Sequence, residues 1–188
     1  MKKILCSVVL SSLLFTGLSA SEFLLDKPHT SVEFKVKHML VSNTKGNFKN
    51  FDANIDFDEE NKVFKVFNAS VDVASLDTNN SKRDEHVKSA DFLNMEKNPQ
   101  LTFVMENYEK KSDDEGVMHG TLTINGVSKK VAFDVDITGV ATFDGKTKLG
   151  FELELDLLRT DYNVAKETSD KIVGDKIEVK VFAEANKK

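Results

Sequence analysis

The chain has 188 residues, 31 of them acidic and 26 basic, with one cysteine and no tryptophan. A single cysteine excludes a disulfide framework and any cysteine-rich metal site, and a net charge of −5 without a basic run speaks against nucleic acid as a partner. The length suits one domain with a sizeable core.

Lys2 and Lys3, an apolar run from Ile4 to Leu18, and the small residues Ser19, Ala20 and Ser21 have the form of a secretory signal peptide over 1–20. The run is shorter than the roughly 18 residues of a membrane span. Cleavage near Ala20 is therefore expected to free residues 21–188 as one domain without stable membrane insertion. Cys6 lies inside the run and leaves with it.

Beyond the leader, Phe23 and Leu24 open a short strand that Lys27-Pro28 turns. Val32, Phe34, Val36 and His38 then alternate with charged residues, the two-residue period of a strand with one face in a core. Phe51, Ala53, Ile55 and Phe57 make the next such face. Phe48 is out of phase with Phe51, which predicts a bulge between them. After the turn at Glu59–Lys62, Phe67, Ala69, Val71 and Val73 resume the alternation.

The passage Ser75–Phe103 breaks the pattern and is the one strongly helical stretch. Asn80 or Ser81 caps it, Glu85 falls in the first turn, and Val87, Ala90 and Arg83 share one face. Asn98-Pro99 ends it, because the residue before a proline is pushed towards extended geometry. Leu101, Phe103 and Met105 form the return strand, and the polar run Glu109–Gly116 reads as a solvated loop. Met118, Gly120, Leu122 and Ile124 lead to Asn125-Gly126, a strong hairpin signal, and Val131, Phe133, Val135 and Ile137 lead away from it. Leu149, Phe151, Leu153, Leu155 and Leu157 form the cleanest strand. The irregular passage Arg159–Asn163 separates it from a last strand with Ile177, Val179, Val181 and Ala183.

About eight alternating strands with one apolar face each predict an all-β fold, an antiparallel barrel or sandwich, since a one-sided sheet must close on itself or meet a second sheet. Periodicity does not choose between them. The ordered blocks HTSVEFKVKHMLVSNTKGNFKNFDANIDFD, SLDTN, KRDEHVKSADFLN, NPQLTF, GTLTINGVSKKVAFDV and LGFELELDLLRTDYNV closely resemble the YceI-like family of periplasmic proteins that bind polyisoprenoid lipids. The resemblance covers essentially the whole chain after the leader. It implies an eight-stranded antiparallel lipocalin-like β-barrel with one short helical segment beside its mouth, and a periplasmic location.

The inner faces mix large side chains with Ala53, Ala69, Gly120 and Ala183, so from composition a solid core and a ligand-filled lumen both stay open. The resemblance favours the lumen, with a polyisoprenoid or an isoprenoid quinone-like amphiphile as ligand and no cofactor besides it. The expected lumen contacts on the first half of the barrel are Phe34, Val36, Phe51, Ile55, Phe67 and Val71. On the second half they are Leu101, Phe103, Leu122, Phe133, Val135, Phe151, Leu153 and Val179. His38, Arg83, Asp84, His86 and Tyr162 are the candidates for meeting a head group, with Asp161 nearby. The bland alternative has Arg83 paired to Asp84 or Asp161 to fasten the helix, and Tyr162 as a plug.

No nucleophile elbow, P-loop, dinucleotide fingerprint or metal helix occurs, and His29, His38, His86 and His119 are scattered, so neither catalysis nor a metal site is expected. The rival readings are an enzyme acting on an isoprenoid lipid, a stress-related interaction protein with a solid barrel, and a haem or metal binder. A homodimer is also expected from the resemblance.

Overall fold

The computed structural model describes residues 20–188, so the expected signal peptide, but for Ala20, lies outside the described residues. The alternating runs form eleven segments of one antiparallel sheet. The first six are β1 (Ser21–Leu25), β2 (Ser31–His38), β3 (Ser42–Phe48), β4 (Phe51–Asp58), β5 (Val63–Asp72) and β6 (Leu76–Asp77). The rest are β7 (Gln100–Lys110), β8 (Glu115–Ile124), β9 (Val127–Phe143), β10 (Lys146–Leu158) and β11 (Val173–Lys187).

These segments make eight staves in chain order, because β1 with β2, β3 with β4, and β5 with β6 are each one stave broken by a kink. A 3₁₀ turn at Lys27–His29 makes the first kink, where Pro28 has no N–H to give the ladder. Lys49-Asn50 makes the second. The expected bulge between Phe48 and Phe51 is thus a two-residue break that lets both rings turn inward. A 3₁₀ turn at Val73–Ser75 makes the third. The ring closes on β11, which pairs with β1 through Leu25 and Ala185 and with β2 through Phe34 and Val179. The fold is a closed up-and-down barrel of eight antiparallel strands, which leaves no long edge unpaired.

Two hairpins run on Asn125-Gly126 and Asp144-Gly145, all four residues at positive φ, as a type I′ turn requires. The second was not read from the sequence. The polar run expected to be a loop over Glu109–Gly116 is a loop only at its centre, 111–114, since β7 runs to Lys110 and β8 starts at Glu115 and the two stay paired there. Asp58, only 3% exposed, ties the turn after β4 by accepting from the backbone N–H and the side-chain amide of Asn61, both at 3.0 Å. Those bonds, the side-chain one first, hold its carboxyl below the usual carboxylate range.

Helix α1 (Ser81–Lys88) is short and buries no residue. Asn80 caps it by accepting the Arg83 N–H at 3.1 Å. Asp84, rather than Glu85, is the acid of its first turn, and Ala90 falls beyond its end. Near this end of the barrel β6 pairs only with β3, and the segment 78–99 occupies the interval before β7.

The two ends of the barrel are packed differently. At the end away from α1, Phe23, Ile55, Phe57, Met118, Leu149 and Ala185 are completely buried. Phe57 and Phe64 meet edge-on at 5.0 Å and Phe64 and Tyr108 at 5.5 Å, the offset geometry that aromatic pairs prefer. This half is solid.

Candidate functional site

Above that plug the barrel is hollow. A cavity of about 230 Å³ begins on a floor of interlocked rings, Phe64–Phe151 at 5.3 Å, Phe67–Phe151 at 5.8 Å and Phe103–Phe133 at 5.0 Å. It continues along β11 from Ala183 to Val173. Ten residues at about 3.3 Å each, on strands tilted by roughly 40°, make it about 25 Å long along the barrel axis. The void is widest where inward positions are small: Ala53 and Ala69 are direct partners on β4 and β5, and Ala183 on β11 leaves room beside the Phe151 ring of β10. Gly120 contributes no space, since the Phe103 ring lies over it.

Of the lumen residues expected from the sequence, all but Ile55 and Val135 line this cavity. Ile55 is fully buried and Val135 is 2% exposed, both in the packed core away from the cavity. Their alternation was read correctly, but periodicity carries no information about depth along a stave. Two acids at the wall are engaged elsewhere: Glu33 accepts from the Ser31 hydroxyl at 2.9 Å and Asp52 from Lys27 at 3.1 Å.

The head-group candidates separate. Tyr162, 2% exposed, lines the cavity, and burial, helped by the neighbouring Asp161 charge, pushes its hydroxyl above the usual tyrosine range. His38, Arg83, Asp84 and His86 do not line it. His38 sits at the rim between Ser42 and Val173, and the His86 ring rests against Phe92 at 4.8 Å. Arg83 and Asp84 meet not in an ion pair but at Thr78. Arg83 Nε donates to the Thr78 hydroxyl and Nη2 to the Thr78 carbonyl, both at 2.8 Å. Asp84 accepts from the Thr78 N–H at 2.9 Å and from its hydroxyl. Thr78 is 3% exposed and lines the cavity, so α1 is fastened to the mouth through a threonine. Asp161 pairs outward with Lys129 at 2.7 Å and not with Arg83.

Arg159 is the residue that sequence reasoning missed. It is 2% exposed, lines the cavity, and has no carboxylate partner among the described residues. Its guanidinium donates instead to backbone carbonyls. Nε reaches Val173 and Gly174 at 3.2 Å each, Nη1 reaches Val164 at 3.1 Å and Ala165, and Nη2 reaches Thr168 at 2.7 Å and Val173 at 3.0 Å. The planar five-donor fork suits such a cage as a lysine does not. The signal was present in the sequence: after Leu153, Leu155 and Leu157, position 159 is the next inward one on β10. The loop it shapes joins the helical segment through the Ala165 N–H to the Asp91 carbonyl at 3.0 Å. Asn125 links both covers, accepting from Asn98 at 3.1 Å and donating to the Tyr162 carbonyl at 3.3 Å.

One group of possible metal ligands lies elsewhere among the described residues, where Asp26, His29 and Glu184 converge at the first kink. Lys148 already lies between them, 3.1 Å from Asp26 and 2.9 Å from Glu184. The hydrogen bonds from His29 and then Lys148 lower the Asp26 pKa, so an ammonium fills the place of a cation.

A closed antiparallel barrel, solid at one end and hollow with apolar walls at the other, defines the class as a barrel with a lumen site. The chain belongs to the YceI-like family, whose domain profile matches residues 23–185. It is 38% identical over 169 residues to protein YceI of Salmonella newport, spanning 87% of this chain and 88% of that protein. The crystal structure of Campylobacter jejuni YceI superposes with a TM-score of 0.77 at 45% identity, covering 87% of this chain and 96% of that one. A polyisoprenoid-binding domain from Saccharophagus degradans shares the fold with a TM-score of 0.70, at 11% identity over 89% of this chain and 99% of that one.

Proposed function

We propose that the protein binds one long-chain isoprenoid amphiphile, a polyisoprenoid or an isoprenoid-tailed quinone-like lipid, and carries or stores it in the periplasm after export. The observation that supports this most is the shape of the cavity. About 25 Å of narrow apolar tunnel above an aromatic floor suits a chain rather than a compact ligand. The tail lies against Phe67, Phe103 and Phe151, and the head group stays at the α1 end, near Tyr162 and the buried positive charge of Arg159. All the Arg159 donors face carbonyls, so its action on a head group is through its field rather than through direct hydrogen bonds.

Burial at about 0.8 kcal/mol per CH₂ drives insertion. Summed over the part of a long chain that enters the tunnel, this term is large beside ordinary affinities, which saturate at roughly 18–21 kcal/mol, and ordering of a flexible chain offsets much of it. Slow release is the consequence, so purified protein should retain its ligand. The polar groups around the cavity are engaged with one another rather than arranged about a reacting atom, which favours binding without chemistry.

Native mass spectrometry of freshly purified protein, followed by organic extraction, tests the reading. The expected result is a stoichiometric adduct that dissociates as a polyprenyl or quinone-like lipid. A mass equal to the bare chain, unchanged after incubation with such lipids, would overturn it.

A further inference from the structure

The turn between β2 and β3 stands beyond the cavity. Val36 and Thr44 line the cavity as direct partners, as does Val173, which pairs with His38 at the rim, and residues 39–41 form the turn immediately past that last pair. The tip is Met39-Leu40-Val41, exposed by 57%, 60% and 84%. Ile172, 48% exposed, joins it, its carbonyl accepting from the Met39 N–H at 2.9 Å. Four of the nine exposed large apolar side chains of the described residues therefore gather at one point, at the open end of the barrel.

The backbone makes this placement unusual. Met39 and Leu40 sit at φ 48° and 60°, and the Val41 N–H closes the turn on the His38 carbonyl at 3.2 Å. Such a turn favours asparagine and glycine, because a side chain at positive φ crowds its own carbonyl. The other two tight hairpins of this barrel follow that rule with Asn125-Gly126 and Asp144-Gly145. Here two bulky apolar residues hold the strained positions and face water.

Charge complements the apolar tip. Lys37, next to the turn, and Lys45, lower on the same outer phase and opposite Lys35, are exposed and have no carboxylate partner among the described residues, whereas Lys35 is paired with Glu178. Lys166 and Lys171 in the adjoining loop are balanced by Glu167 and Asp170. The segments at this end, 37–45, 78–99 and 159–173, hold nine basic and seven acidic residues, in a chain that is acidic as a whole. No helix of the described residues is long and apolar enough to span a membrane.

We propose that the β2–β3 tip is a membrane-docking element: Met39, Leu40 and Val41 enter the interfacial layer of a bilayer while Lys37 and Lys45 meet anionic lipid head groups, bringing the cavity mouth to the membrane. A second copy of the chain is a poorer occupant, since it would bring the like-charged Lys37 and Lys45 together. The lipid-filled lumen supplies the purpose of this surface, but the docking stands or fails on its own.

The test uses vesicles of phosphatidylethanolamine with phosphatidylglycerol, and of phosphatidylcholine alone. Because the chain has no tryptophan, Val41→Trp is a single reporter and Phe143→Trp, at the opposite end and 69% exposed, is its control. The expected result is a blue shift of the first and quenching by brominated lipids, with no change in the second. Leu40→Asp should weaken co-sedimentation with the phosphatidylglycerol vesicles at least tenfold, and Lys37→Gln or Lys45→Gln by roughly fivefold each. Leu40→Asn, which suits the positive φ, should keep or raise the melting temperature while binding falls, separating docking from folding. An unbound wild type, equal binding by Leu40→Asp, or an equal shift at Phe143→Trp overturns the proposal. So does self-association without vesicles that Leu40→Asp abolishes, if vesicle binding is absent. Lumen occupancy is read on the same samples by native mass spectrometry, so an empty lumen with intact vesicle binding would sink only the lipid-carrier reading.

Discussion

Replacing Arg159 by alanine removes the fork that holds five carbonyls of the loop between β10 and β11. The Val164 and Ala165 carbonyls, whose bonds are buried, lose their partner outright at about 1–3 kcal/mol each. The other three are partly exposed and can turn to water. Loss of the packed arginine stem adds about 1 kcal/mol, for a total of about 3–7 kcal/mol. At about 2–4 °C per kcal/mol for a chain of this size, the melting temperature should fall by roughly 6–28 °C. Thermal unfolding followed by circular dichroism measures this. Amide exchange should rise between 163 and 174 while the plug around Phe57 and Phe64 stays protected, and bound lipid should leave faster because Val164 and Val173 line the cavity. Arg159→Lys, with charge but without the planar fork, should recover only part of the loss. A fall of less than about 2 °C for Arg159→Ala would show that water replaces the whole cage, and the account of this loop would be wrong.

Gly120→Ala should destabilise by about 1–3 kcal/mol, because its Cβ would run into the Val104 carbonyl oxygen and meet the Phe103 ring at 2.6 Å, whereas Gly139→Ala meets nothing within 4 Å and should be close to neutral in urea unfolding. Ala69→Leu fills cavity space beside Ala53; it should stabilise the empty barrel by about 0.5–2 kcal/mol and reduce the lipid recovered on extraction, and unchanged recovery would move the ligand elsewhere. The lowered pKa of Asp58 gives stability that is present above the unfolded value, about 3.9, and lost as pH falls through the folded one. Asp58→Asn should therefore be less stable than the wild type near neutrality, with the difference shrinking in acid; a gap that widens on acidification would reverse the assignment.

The two-residue alternation, with the Asn125-Gly126 turn residues, was enough to locate most of the staves, that hairpin, and the inward phase of each run, but not β3, whose Ser42–Phe48 alternation is weak, nor the Asp144-Gly145 hairpin. The features located in this way are local consequences of strand geometry and turn stereochemistry, written within a few residues. The position of the helical segment was legible for the same reason, through Asn80 and Pro99. Depth was not. Ile55 and Phe51 share a phase on β4, yet one packs in the plug and the other lines the cavity, because phase fixes direction and not height. Whether the barrel is hollow depended on which residues face one another across staves, small Ala53 against small Ala69 and small Ala183 against the Phe151 ring, and those registers are set by pairing between strands rather than within one. The mouth was decided in the same way. Arg83 and Asp84 look like an ion pair in one dimension, but both meet Thr78, and Arg159 finds its partners in carbonyls whose positions exist only once the loop from Val164 to Gly174 has folded round it. Short-range stereochemistry thus determined the elements, and long-range packing decided the void, its floor and its rim.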